Sequence, residues 1–144
     1  MKKINILILI ISLSILPFFS SAQCREFTEK EAIPLLGNYI LSGRYHSLKL
    51  TEGEKILIFK TLNRGIIYRF VIIGEKQLPE NIEMKITDWN DKVIYHNAND
   101  DYSKIFDYDN KKTQRIKIFI KVPEVNNKPK RGCVGLVIGI INNR

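Results

Sequence analysis

The feature that most constrains the fold is a two-residue alternation of apolar and polar side chains over residues 113–122. Ile116, Ile118 and Ile120 occupy every second position, and the residues between them carry a charge or an aromatic ring. This period matches an extended strand and does not match a helix. The segment therefore predicts an antiparallel β-strand with one buried face and one face in solvent.

Similar short segments recur along the chain, and turn residues such as those of Asn63-Arg64-Gly65 separate them. The strands that we predict are residues 44–50, 55–62, 66–73, 82–89, 93–96, 102–108, 113–122 and 132–141. Seven or eight short strands at this spacing indicate an all-β domain, either a sandwich or a barrel. We expect an antiparallel, jelly-roll-like β-sandwich with a short N-terminal helix.

Two of these strands are apolar on both faces. Residues 56–59 and residues 134–141 contain almost no polar side chain. This pattern predicts strands that are covered on both sides. Gly135 and Gly139 lie on one face of the last strand, where the missing side chains let another element approach closely.

The helix is predicted just ahead of the strands. Residues 28–31 read Thr-Glu-Lys-Glu and fit a capping box, in which Thr28 caps the helix and Glu31 bonds back to it. Pro34 and Gly37 limit its length. This helix is a candidate for the element that packs on the last strand.

The N-terminus resembles a secretory signal peptide. Lys2 and Lys3 precede an apolar run, and small residues lead up to a predicted cleavage after Ala22. The run is shorter than the ~20 residues that span a bilayer. We therefore predict that residues 1–22 are removed and that residues 23–144 form one exported domain, periplasmic or secreted, with no membrane span left.

Two alternatives to cleavage after Ala22 remain open. One is an uncleaved membrane anchor, which the short apolar run disfavours. The other is a lipoprotein acylated at Cys24. Lipoprotein cysteines follow a small residue, whereas Gln23 precedes Cys24 here.

Cys24 and Cys133 are the only cysteines, and they lie near opposite ends of the mature chain. In an exported protein, a disulfide is the expected state of such a pair. The chain has no Cys-x-x-Cys motif, and neither histidine is near a cysteine in sequence. We therefore predict a structural Cys24–Cys133 bridge rather than a redox or catalytic thiol.

The chain is basic, with 23 Lys and Arg against 15 Asp and Glu and a formal charge of +8. Loss of the leader would lower this charge to +6. Many cations lie in the last third of the chain: Lys111, Lys112, Arg115, Lys117, Lys121, Lys128, Lys130 and Arg131. They form either a solvated face or a surface for an anionic polysaccharide or lipid headgroup. No nucleic-acid motif accompanies them, so we expect no nucleic-acid partner.

The order of strands and turns over about residues 44–141 resembles the prepeptidase C-terminal-like domains, which are small secreted β-sandwich modules of bacteria. The matching segments are Glu52-Gly53-Glu54, Gly65-Ile66-Ile67-Tyr68-Arg69-Phe70, Ile82-Glu83-Met84-Lys85-Ile86-Thr87-Asp88, Asn90-Asp91-Lys92 and residues 116–122. The acidic strand motif of that family is replaced here by Asn81-Ile82-Glu83-Met84. Its Gly-Thr-Tyr-Tyr before the final strand is replaced by Arg131-Gly132-Cys133-Val134. The resemblance implies a non-catalytic binding or accessory module.

The loop region from Trp89 to Asp101 contains the candidate ligand-binding residues Trp89, Tyr95, Asp100 and Asp101. A tryptophan beside a turn is often exposed, and together with tyrosines it can stack on a sugar ring. The Asp and Asn residues nearby offer the oxygen ligands that calcium prefers, although turns favour the same residues for backbone reasons. Binding of carbohydrate or calcium is therefore an alternative function, and no motif requires another cofactor.

No catalytic residue is predicted. His46 and His96 are the only histidines, and neither stands in a nucleophile motif such as Gly-x-Ser-x-Gly. We expect a non-enzymatic module that binds an envelope protein or a glycan. A small secreted hydrolase would instead bring both histidines and an aspartate into one cleft. A structural subunit of an envelope assembly would expose an apolar patch or an unpaired strand edge.

Mass spectrometry of the protein from its own host tests the predicted processing. We expect a chain that starts at Gln23 and is two hydrogens lighter than its reduced form, because cleavage follows Ala22 and the two cysteines are oxidised. A lipid mass on Cys24, or a retained leader, would contradict this prediction.

Overall fold

A computed structural model describes residues 19–142 of the chain, and these residues form two antiparallel sheets packed face to face. The strands are β1 (Ile40–Leu41), β2 (His46–Thr51), β3 (Lys55–Leu62), β4 (Ile66–Gly74), β5 (Glu83–Asp88), β6 (Val93–His96), β7 (Ile105–Asn110), β8 (Gln114–Lys121) and β9 (Arg131–Asn142). A short 3-10 helix, Asn97–Asn99, lies between β6 and β7. No helix in the described range is long and apolar enough to cross a bilayer.

From β2 to β9, consecutive strands lie in different sheets, except that β5 and β6 form a hairpin in one sheet. In sheet A, β1 and β2 both pair with β9, which is followed by β4 and β7. Sheet B has the order β3-β8-β5-β6. Without the two-residue β1, the remaining eight strands follow the order of a jelly roll. The predicted antiparallel β-sandwich is therefore confirmed, and β1 brings the described strands to nine.

The main core lies between the sheets and follows the predicted alternation. Ile116, Ile118 and Ile120 of β8 are fully buried, and Met84 and Ile86 of β5 lie beside them. Sheet A supplies the opposite side of this core with Tyr68, Phe70, Ile72, Val134, Leu136 and Ile138. Removal of this apolar surface from water is the main driving force for the packing of the two sheets.

The N-terminal segment is helical from Phe19 to Leu36. It begins as helix α1 (Phe19–Phe27), continues through a π-helical turn (Thr28–Ala32), and ends in a 3-10 helix (Ile33–Leu36). Gly37 follows with φ = 60° and ψ = −118°, a positive-φ conformation that leaves the helix and that glycine adopts without strain.

The predicted capping role of Thr28 is wrong. The residues before Thr28 are already helical, so no free first-turn N–H lies beside its side chain. Instead, its buried hydroxyl donates to the Cys24 carbonyl oxygen at 2.9 Å and accepts from the Ser47 hydroxyl at 2.8 Å. The first bond is a side-chain to backbone contact within the helix, a type that bends helices.

The helical segment covers the outer face of sheet A, and the glycines of β9 make this possible. A Cβ atom on Gly135 would lie 2.8 Å from the Thr28 hydroxyl oxygen, and one on Gly139 would lie 2.8 Å from a Leu36 methyl carbon. The close approach predicted for this strip is therefore confirmed. A second, smaller core forms there from Ala32, Leu36, Val71, Ile73 and Val137.

A disulfide and an arginine attach the two ends of this segment to sheet A. The predicted disulfide joins Cys24 to Cys133 on β9, with Cα atoms 5.1 Å apart and a sequence separation of 109. Near the other end, the Arg69 guanidinium stacks 4.3 Å from the Tyr39 ring centre. It also bonds to both Asp107 oxygens and to the Leu36 carbonyl oxygen. The hydrogen bonds from Arg69 hold the pKa of Asp107 below its usual range, although partial burial opposes them.

Replacement of Cys24 and Cys133 by serine tests how far the fold depends on the bridge. A loop of this length gives about 4–5 kcal/mol in the chain-entropy model, so the free energy of unfolding should fall by about that amount. Urea denaturation of the double variant, compared with the oxidised wild type, measures the loss. Reduced wild type should match the variant, and a loss near zero would contradict the prediction.

Candidate functional site

A tight turn after β5 holds Trp89 at the surface. The Asp88 carboxylate accepts from the backbone N–H groups of Asn90, at 2.8 Å, and Lys92, at 3.0 Å. Asp91 adopts φ = 64°, a left-handed conformation that aspartate tolerates better than most residues. The chain reverses within these residues, and Trp89 stays 51% exposed.

Trp89 belongs to a cluster of rings and cations on the outer face of sheet B. The Arg115 guanidinium carbon lies 4.7 Å from the Trp89 ring centre and 5.0 Å from the Phe59 ring centre. The two rings are 5.9 Å apart and tilted by 48°. Lys117 Nζ lies 5.3 Å from the Trp89 ring and bonds to Asp91 at 2.8 Å. The three distances from Arg115 and Lys117 to the ring centres are typical of cation–π contacts.

The same face continues along β3, β8 and β5. Leu57 pairs with Phe119, and Phe119 pairs with Lys85, whose Nζ lies 5.1 Å from the Phe119 ring. Leu57 and Phe59 are 45% and 46% exposed. We call this surface the aromatic–basic face, and its members are Leu57, Phe59, Lys85, Trp89, Arg115, Lys117 and Phe119.

Exposure of Leu57 and Phe59 corrects the prediction that residues 56–59 are covered on both sides. Ile56 and Ile58 pack against the core between the sheets, as expected. In the described part of the chain, no helix or further sheet packs over β3, because the N-terminal segment lies on sheet A. Only β8 pairs with β3, so β3 is also an edge strand.

The other three residues predicted to bind a ligand, Tyr95, Asp100 and Asp101, do not form one group with Trp89. Tyr95 packs against the core and stacks on Phe106, with ring centres 3.8 Å apart. Its hydroxyl donates to Asp100 at 2.8 Å. Burial and this carboxylate raise the pKa of Tyr95 to about 12, so the hydroxyl remains a donor at neutral pH. Asp101 lies beyond this pair and has φ = 46°.

Several aspartates in and after this loop region have separate partners. Asp88 caps the Trp89 turn, Asp107 pairs with Arg69, and Asp109 pairs with Lys111. The amide of the fully buried Asn97 is also occupied: it accepts from the Met84 N–H of β5 and donates to the carbonyl oxygen of Ile82, just before β5. Over residues 19–142, no three His, Cys, Asp or Glu side chains come together in a way that could hold a metal ion.

The two histidines lie at opposite sides of the sandwich. His46 is on β2, where Lys60 of β3 donates to the Ser42 carbonyl oxygen at 3.1 Å and closes that side. His96 is on β6, at the side closed by the Tyr95–Phe106 stack, and its Nε2 lies 2.9 Å from a Glu83 oxygen. The structure therefore does not bring both histidines and an aspartate into one cleft.

Phe59 and Arg115 were not recognised as candidates from the sequence. Phe59 sits in a continuous apolar run, which does not indicate which face meets water. Arg115 and Lys117 alternate with isoleucines, a pattern that fits a solvated face as well as a surface for an anionic partner. The available signal was the presence of aromatic side chains among outward positions that otherwise carry cations.

No protein-family model matches the chain, and no curated protein matches it. The structure of the chain is similar to the crystal structure of Aeromonas hydrophila PliG, a periplasmic lysozyme inhibitor of g-type lysozyme. The TM-score is 0.51 at 12% sequence identity, and the match covers 68% of this chain and 85% of PliG. The two proteins share the sandwich fold.

The pKa of His46 offers a test of its surroundings. Burial and the positive charge of Lys60 lower this pKa. In the Lys60→Met variant the charge is gone but the burial stays, so the pKa should rise and remain below the usual value of about 6.5. A pH titration of the His46 ring protons by NMR, in the variant and in the wild type, measures it. An unchanged His46 pKa would contradict the arrangement.

Proposed function

We propose that this protein is exported and acts without catalysis, by binding and inhibiting a glycan-hydrolysing enzyme of the lysozyme kind. The observation that carries the proposal is the aromatic–basic face, an uncovered surface suited to binding. The fold that the chain shares with PliG supports the choice of partner.

Export is part of the proposal. A disulfide between distant cysteines is typical of oxidising compartments, and the predicted signal peptide agrees with it. A non-catalytic role also agrees with the separation of His46 from His96 and with the separate partners of the aspartates. The resemblance to prepeptidase C-terminal-like modules, which implies an accessory role, stays a prediction.

An inhibition assay tests the proposal. The oxidised protein from residue 23 onward is added to a g-type lysozyme and to lysozymes of other classes. We expect a saturable loss of peptidoglycan hydrolysis for at least one enzyme, and no hydrolysis by the protein alone. If every enzyme stays fully active under excess protein, the proposed function is wrong.

A basic protein can also lower the rate by coating an anionic substrate. Binding to the immobilised enzyme is therefore measured with no peptidoglycan present. A specific inhibitor should form a complex of fixed stoichiometry with the enzyme that it inhibits. Inhibition without such a complex would indicate masking of the substrate and would contradict the proposal.

A further inference from the structure

The two outer faces of the sandwich differ in how they are covered. Sheet A presents Val71, Ile73 and Val137 outward, and the disulfide-linked helical segment covers them. Sheet B presents Leu57 and Phe59 outward, and both stay nearly half exposed. Apolar side chains that are contiguous and exposed on one face commonly mark an interaction surface.

The outer face of sheet B carries many more positive than negative side chains. Strand register and alternation place five cations there, namely Lys55, Lys85, Arg115, Lys117 and Lys121. Glu83 is the carboxylate on the outward positions of the same strands, and it pairs with His96 at 2.9 Å. Asp91, at the adjoining turn, pairs with Lys117. Net positive charge therefore remains, which is complementary to an acidic surface.

The arrangement of the rings favours a protein over a sugar. Sugar rings stack on free, flat aromatic faces, whereas Phe59 and Trp89 are tilted by 48° and Arg115 lies against both. Trp and Arg are instead the residues most enriched at the energetic centres of protein–protein contacts. Exclusion of water by a partner would also strengthen the cation–π contacts of Arg115.

We propose that the aromatic–basic face docks an acidic surface of a protein partner, with Arg115, Phe59 and Trp89 at the centre of the contact. This inference rests on the proposed function only in that the partner is a protein. The carboxylates of that partner would pair with Arg115 and the neighbouring lysines. Its apolar side chains would cover Leu57, Phe59 and Trp89.

Three probes separate a protein from the other anionic partners. They are a short peptide rich in Asp and Glu with two phenylalanines, an oligogalacturonate, and phosphatidylglycerol vesicles. Amide shifts in the NMR spectrum of the full mature protein report where each probe binds. We expect the peptide to shift residues of β3, β5 and β8, with affinity that falls as salt is raised. We expect the other two probes to bind more weakly.

Arg115→Glu is the decisive variant, because it reverses the charge between the two rings. It should weaken peptide binding by about tenfold or more. Lys76→Glu is the matched control: it makes the same charge change in the exposed loop after β4. The first residue of β4 lies at the Arg115 end of the molecule, because Arg64, just before it, bonds to Thr113. The nine residues of β4 extend about 26 Å, so Lys76 lies near the opposite end. The control should leave binding unchanged, and matching thermal unfolding would show that both variants are folded.

Several results would overturn the proposal: no binding by any probe, tighter binding of the glycan or the vesicles, shifts away from sheet B, or equal effects of the two variants. The hydrolase assay stays separate from these results. If Arg115→Glu inhibits a lysozyme as well as wild type does, the face is not the docking surface but the proposed function stands. If no lysozyme is inhibited while the peptide still binds to sheet B, the proposed function fails and the docking surface stands.

Discussion

The attachment of the N-terminal helical segment to β9 is the contact on which the rest of the architecture depends. A jelly roll has two outer faces, and here both carry apolar side chains. The Cys24–Cys133 bridge and the glycine strip of β9 commit the one helical segment to sheet A. Within residues 19–142 no other element covers sheet B, so the same contact that completes the fold also determines which face is exposed.

The exposed apolar side chains of sheet B, such as Leu57 and Phe59, must not cause the free protein to aggregate. Arg115, Lys117 and Lys85 meet this need by placing their charged groups over the Trp89, Phe59 and Phe119 rings. Such contacts are worth about 0.5–1 kcal/mol at exposed sites and more when water is excluded. Since β3 is an edge strand, its own Lys55 and Lys60 discourage pairing with other strands. Lys60 of β3 turns toward the gap between the sheets, where burial lowers its pKa.

Much of the fold could be predicted because strand period and turn chemistry are local. The limits of β3 and β6 match the predicted residues, and β8 lies within its predicted segment. The capping role of Thr28 could not be judged locally, because it depended on whether the chain before Thr28 is helical. The candidate site was predicted only in part. Trp89 is exposed, but Tyr95 faces the core, because β6 pairs with β5 through a register shift between Ile86 and Thr87.

The sequence by itself determined the β-class of the domain, its main strands, its turns and the cysteine pair, since each follows from period, local chemistry or the lack of another partner. Tertiary structure alone decided which apolar face is covered and which side chains meet on the other. Phe59, Trp89 and Arg115 come from three separate segments, and only the pairing of β8 with both β3 and β5 brings them together. Such long-range pairing depends on how whole faces bury against each other, which the alternation within one strand does not specify.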